Sequence, residues 1–222
     1  MALGPGHLAK VARVVEEGLH PEGLTLLSTA DYEALAQRLM AELGAGQFWI
    51  FAIGSLIWKP DFEHTDARRG TVHGWRRSFC VSIDNWRATR ETPGLLLALD
   101  RGGTCNGVAY RMPEDDALGR MLRLLRREFD YHEDIDWLRW VTVRTKEGSQ
   151  RALTFYCGPL TNPSVLRLPV EEQAKRLAWA VGPAGSCAEY LYNTVSQLEA
   201  LGIHDRYLWD MQARVAAEID RL

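Results

Sequence analysis

Apolar positions recur along the chain in two rhythms, one helical and one strand-like. Leu8, Val11, Ala12, Val15 and Leu19 follow helical spacing, as do Tyr32, Leu35, Leu39 and Leu43 after the start signal Ser28-Thr29. Two helices joined through His20-Pro21-Glu22-Gly23 are expected. From residue 48 the pattern changes to short apolar and β-branched runs at 48–53, 71–83, 95–99, 105–112, 140–144 and 151–157, punctuated by Gly, Pro and Asp. Most of these runs follow one another without an intervening helix, so the sheet is expected to be antiparallel or mixed. About six short strands of this kind often close into a barrel. Beyond Pro169 the helical rhythm returns at 170–181, breaks at 182–185, resumes at 187–201, stops at Gly202 and continues at 206–222. The expected class is α+β: a small mixed or antiparallel β-barrel with flanking helices. Residues 1–46 form an N-terminal helical extension and residues 47–222 the main domain, closed by C-terminal helices.

One predicted helix, 113–129, carries chemistry. Its apolar stripe is Leu118, Met121, Leu122, Leu125 and Phe129, and at about 100° per residue Glu128 falls on the stripe, whereas Arg120, Arg123, Arg126 and Arg127 point elsewhere. A carboxyl on a core-facing stripe is costly unless paired, protonated or lining a pocket, and desolvation raises its pKa towards neutrality. Glu128 is therefore a general acid/base candidate. The alternative is a side chain near the helix end that swings into solvent or pairs with an Arg. A second feature is the apolar strand 48–53 running into Gly54-Ser55. A glycine there lets backbone N–H groups approach a carboxylate or oxyanion, although a strand followed by Gly-Ser also occurs in ordinary turns.

Composition narrows the field. At 222 residues and 46% hydrophobic content, one domain is expected, and a formal charge of −3 argues against a dedicated nucleic-acid binder. No apolar run approaches the roughly 18 residues needed to span a bilayer, and the N-terminus lacks a basic segment leading into an apolar one. A soluble protein that stays in the cytoplasm is expected, with no membrane partner. Cys80, Cys105, Cys157 and Cys187 lie too far apart for a zinc cluster, so no metal and four free, mostly buried thiols are expected. Of the 26 basic residues only four are Lys; genome composition accounts for this, and so would a substrate bearing carboxylates. No serine-hydrolase elbow, phosphate loop, dinucleotide fingerprint or zinc-protease motif is present.

The segment Trp49-Ile-Phe-Ala-Ile-Gly-Ser-Leu-Ile-Trp-Lys-Pro60 resembles the glycine-rich signature F-G-Y-G-S-L-[IMV]-W of the ChaC-type γ-glutamylcyclotransferases. Gly74-Trp-Arg-Arg-Ser-Phe-Cys80, Thr92-Pro-Gly-Leu-Leu-Leu-Ala-Leu-Asp100 and Gly107-Val-Ala-Tyr-Arg111 are similar to that family's next three segments, in order. Arg127-Glu128 stands where the family has its R-E pair, and 168–174, 187–195 and 201–203 are similar to its C-terminal helices. The resemblance runs from about 48 to 210. It implies a cyclotransferase fold, cleavage of glutathione to 5-oxoproline and cysteinylglycine, no cofactor, and Glu128 as catalytic acid/base. It further implies substrate binding along Ile50, Phe51, Ala52, Ile53, Gly54, Ser55 and Leu56, with the turn 53–56 offering backbone N–H groups.

Two departures stand out. Ala52 and Ile53 replace the signature's second glycine and its tyrosine, which motivates a rival reading as a cyclotransferase for other γ-glutamyl amines or dipeptides. The acidic loop 129–137 is longer than in some relatives, and within it Glu133 is a competing base. The family resemblance also carries the rival of a non-catalytic cation-transport regulator. Acyl transfer through Ser55 or a cysteine lacks a recognisable His partner. By strand alternation at most one of Arg76 and Arg77 reaches a pocket. Tyr110 and Tyr190 are hydrogen-bonding candidates that also suit core roles, and Trp58 is a candidate for shaping the pocket.

Overall fold

The structure is a computed structural model that describes residues 1–16, 23–159 and 161–222. The first helix, α1 (Pro5–Val11), is shorter than the sequence pattern suggests: Ala12 is already extended, and Val14 is 99% exposed. The β-branched Val11, Val14 and Val15 favour helix weakly, and only Val11 of the three is buried to compensate. Leu19 and His20-Pro21-Glu22 lie outside the described residues. Helix α2 (Thr29–Leu43) starts where expected. The Ser28 hydroxyl accepts the Asp31 N–H at 3.3 Å while the Asp31 carboxylate accepts the Ser28 N–H at 2.8 Å, a reciprocal cap, and Leu35, Leu39 and Leu43 form its buried face.

The elements that follow are β1 (Trp49–Ala52), α3 (Ser55–Trp58), β2 (Asp66–Ile83), β3 (Gly94–Arg111), α4 (Ala117–Glu128), a 3₁₀ turn (His132–Trp137), β4 (Leu138–Thr145) and β5 (Gly148–Phe155). The two runs expected at 95–99 and 105–112 are one continuous strand, β3. Gly102 and Gly103, which read as a break, carry the exposed middle of that strand with φ of 92° and 78°. Five strands, fewer and in part longer than expected, close a barrel in the order β1-β3-β2-β4-β5. The barrel is mixed, as expected: β1 runs antiparallel to β3 (Ile50 opposite Tyr110) and parallel to β5 (Ile50 opposite Leu153). Strands β4 and β5 form a hairpin with Thr145 opposite Gly148, and on β4 buried Val141 and Val143 alternate with exposed Arg139, Thr142 and Arg144.

The chain then forms α5 (Val170–Trp179), β6 (Val181–Gly182), β7 (Gly185–Ser186), α6 (Cys187–Ala200) and α7 (Arg206–Ile219). The helix break expected at 182–185 is the β6–β7 hairpin, and Gly202, with φ of 67°, follows α6 as its stop.

Two compact units result. One comprises Glu22–Trp75 and Gly102–Leu160 and contains α2, α3, α4, β1, β4, β5 and the parts of β2 and β3 at 66–75 and 102–111. The other comprises Met1–Pro21, Arg76–Arg101 and Thr161–Leu222, with α5, α6 and α7 packed on one another and α1 on α7. In this second unit Arg76 and Arg77 diverge as alternation requires. Arg77 is buried against the α7 cap Asp205 at 2.8 Å, and Arg76 meets Asp100 at 2.7 Å. Gly94 is needed there for close approach, because a Cβ would lie 2.8 Å from Cys187 Sγ and 3.1 Å from Ala180 Cβ.

Candidate active site

The site grows from the end of β1. All four β1 residues are buried, and the strand end is fixed from two sides. Thr154 Oγ1 donates to the Phe51 carbonyl at 2.8 Å, and Gly107 on β3 passes so close that a Cβ would run into the Ala52 carbonyl and lie 2.8 Å from Phe51 Cζ. The chain leaves the barrel through Ile53 and Gly54, and Gly54 begins the single-turn helix α3, its carbonyl accepting from Ile57 N–H at 2.9 Å. Among the described residues no acceptor meets the N–H groups of Gly54 and Leu56. Of the candidate binding residues, Ile50, Phe51 and Ala52 are thus strand residues whose backbones pair within the barrel. Ile53, Gly54 and Leu56 are buried and Ser55 half-buried in the turn.

Glu128 is the last residue of α4. The helix begins at Ala117 rather than at 113, because Asp116 caps it by accepting the Gly119 N–H at 3.2 Å. The buried stripe also differs from expectation: Leu118 is 42% exposed and Leu122 half-buried, while Leu124 joins Met121 and Leu125 as a buried residue. Glu128 follows these three at helical spacing, and its side chain retains 19% exposure. Burial pushes its carboxyl up to about 7, against the opposing pull of Arg127.

Arg127 departs from the helical-wheel expectation. Its guanidinium bends back so that Nε lies 3.1 Å from Glu128 Oε1, and its other nitrogens donate to the carbonyls of Lys59 and Pro60 just past α3. Both alternatives raised for Glu128, a stripe position and an Arg pairing, therefore hold together. Arg127 thus joins the Glu128 carboxyl to the carbonyls at the C-terminal end of α3.

Beside this link lies a cavity of about 700 Å³ with Phe62, Met112 and Leu124 as apolar lining and Arg120, Arg123, Arg127, Asp61 and Glu63 as charged lining. Arg120 is held by Glu63 at 3.0 Å and Asp115 at 3.2 Å, and Arg123 by Asp116 at 3.2 Å. The i, i+3, i+7 spacing of the three arginines was a sequence signal for this shared face.

The competing base Glu133 is exposed, its carboxylate accepting the Thr25 N–H at 3.2 Å. Its neighbour Asp134, which the sequence reading missed, is 5% exposed, and burial pushes its carboxyl up to about 6. The available signal was 3₁₀ spacing, which puts Asp134 on the same side as buried Tyr131.

Tyr110 is buried with its ring 4.8 Å from His64 and 5.6 Å from Phe62, and burial pushes its phenol up. Tyr190 belongs to the other unit, where it packs edge-on to Phe79. Trp58 is half-buried at the end of α3. All four cysteines are buried free thiols. No helix among the described residues is long and apolar enough to cross a membrane.

A small closed β-barrel with flanking helices is the architecture that the resemblance implied. The family model described as ChaC-like protein matches residues 48–218, and the chain belongs to that family. It is 34% identical over 194 residues to the glutathione-specific gamma-glutamylcyclotransferase of Escherichia coli (strain K12), covering 86% of this chain and 83% of that one. It is 30% identical over 182 residues to gamma-glutamylcyclotransferase 2-3 of Arabidopsis thaliana, covering 75% and 87%. Among solved structures, the yeast γ-glutamyl cyclotransferase specific to glutathione superposes with a TM-score of 0.68 at 22% identity, covering 77% of this chain and 96% of that one. The expected α+β barrel fold is borne out.

Proposed function

We propose that the protein is a γ-glutamylcyclotransferase that cleaves glutathione to 5-oxoproline and cysteinylglycine, with Glu128 as the acid/base. The observation that carries the reading is the partly buried Glu128 carboxyl, raised to about 7 by desolvation and paired with Arg127, whose guanidinium also donates to the Lys59 and Pro60 carbonyls just past α3. The names of the Escherichia coli relative and the yeast structural neighbour support glutathione as the substrate.

As a carboxylate, Glu128 takes a proton from the γ-glutamyl α-ammonium. The freed amine attacks the γ-carbonyl carbon, forming the new C–N bond of a five-membered ring. Backbone N–H groups of the 53–56 turn face the developing oxyanion. On collapse the old amide C–N bond breaks, the proton held by Glu128 passes to the departing nitrogen, and the second proton of the ring nitrogen is given up as the lactam forms, so that cysteinylglycine leaves as its ammonium form. Because nucleophile and electrophile share one molecule, holding the glutamyl group folded supplies much of the rate enhancement. The sequence of bond changes is balanced with no cofactor.

The four buried thiols suit a reducing compartment, and we place the enzyme in the cytoplasm. A second reading, favoured by Ala52 and Ile53 in the signature, is turnover of other γ-glutamyl amines or dipeptides. A purely regulatory role has no use for a desolvated carboxyl at a helix end.

Mass-spectrometric detection of 5-oxoproline from glutathione, with γ-glutamyl dipeptides in parallel, separates the readings. Turnover of glutathione with release of cysteinylglycine is expected. Turnover only of other γ-glutamyl compounds moves the substrate class, and no turnover of any of them overturns the enzyme reading.

A further inference from the structure

We propose that residues 25–32, upstream of the stretch matched by the family model, act as a strap that positions Glu128, with Tyr32 as its positioning residue. The inference rests on the acid/base reading of Glu128.

The segment that leaves α4 is held residue by residue. The Tyr32 hydroxyl donates to the carbonyl of Phe129, the residue next to Glu128, at 2.5 Å. The Leu27 N–H donates to the Asp130 carbonyl at 2.9 Å, Leu26 bridges Tyr131 antiparallel, and the His132 N–H donates to the Thr25 carbonyl at 2.9 Å. Asp31 lies 3.2 Å from His132 Nε2, and Arg126 in the last turn of α4 stacks over the Tyr32 ring at 5.7 Å. Phe129 is itself buried, its ring 5.3 Å from Phe155.

A helix end has unsatisfied carbonyls and frays unless something holds it. Here the backbone leaves helical geometry at Phe129, immediately after the reacting group, and the strap pairs with every residue of the exit from Phe129 to Glu133. The strap thus keeps the last turn of α4 from fraying and fixes the direction of the Glu128 side chain. Strand pairing at Leu26 and the reciprocal cap at Ser28 fix the strap in turn, so Tyr32 meets Phe129 from a rigid helix start.

Tyr32→Phe deletes the hydroxyl alone. Leu27→Pro deletes the N–H that holds Asp130 and carries the same test should the first variant fail to fold. Arg126, Asp130 and Asp134 act on Tyr32 and Arg127 acts on Glu128, and neither substitution changes any of these charges. With glutathione as substrate, kcat is expected to fall on the order of 5-fold with KM within about 2-fold, as for loss of a hydrogen bond that orients the reacting group. The acid limb of kcat/KM is expected to move down by roughly half a pH unit as water reaches Glu128. An unchanged kcat, or a fall in kcat with the limb in place, overturns the strap. Wild-type-like turnover by Glu128→Gln would instead overturn the reading beneath it.

Discussion

Two opposing influences meet at Glu128. Burial disfavours its charged form and Arg127 favours it, and burial prevails, lifting the carboxyl from an ordinary 4.5 to about 7. Between these values the folded chain holds a proton that the unfolded chain has released. Stability contributed by this group is therefore full below about 4.5 and declines as pH rises through about 7. Glu128→Gln is expected to remove that decline, leaving the smaller one of the same sign that Asp134 produces as its carboxyl titrates at about 6 instead of 3.8. Urea unfolding of both proteins across this range measures it, and parallel curves would contradict the raised carboxyl. For the same reason kcat/KM is expected to rise with pH along a limb near 7. Glu128 was legible in the sequence because helical spacing fixes which residues share a stripe. The return of Arg127 was not, because a helical wheel gives the direction of Cβ and not the reach of a guanidinium through three methylenes.

The elements show a similar division. Capping chemistry made the start of α2 legible at Ser28, whereas α4 began later than Pro113 suggested because Asp116 supplies the cap. Glycine is ambiguous as punctuation: Gly102-Gly103 lies inside β3, while Gly202 ends α6. Gly107 is a third case, required by the close approach of β3 to the end of β1. Gly107→Ala is expected to destabilise the fold by about 2 kcal/mol, since the added methyl meets backbone that cannot yield as a flexible side chain would. It is also expected to lower turnover by displacing Ala52 and the turn that follows. Denaturant midpoints and initial rates check both, and a variant with unchanged stability would contradict the close approach.

For the whole molecule, succession of strands without intervening helices was enough to read a small mixed barrel among helices. What periodicity could not reveal is the interleaving of chain segments into two units, because a repeat identifies an apolar face but not its partner. Residues 25–32 illustrate this: they carry little apolar pattern, yet they pair with the segment that follows Glu128. The central claim, that this carboxyl moves the proton in the cyclisation, is tested most directly by 5-oxoproline formation from glutathione with Glu128→Gln beside the wild type. The account predicts that turnover falls by about 10²- to 10⁴-fold while thermal unfolding at pH 7 shows a fold at least as stable as the wild type. Turnover within a few fold of wild type by the folded variant would contradict it.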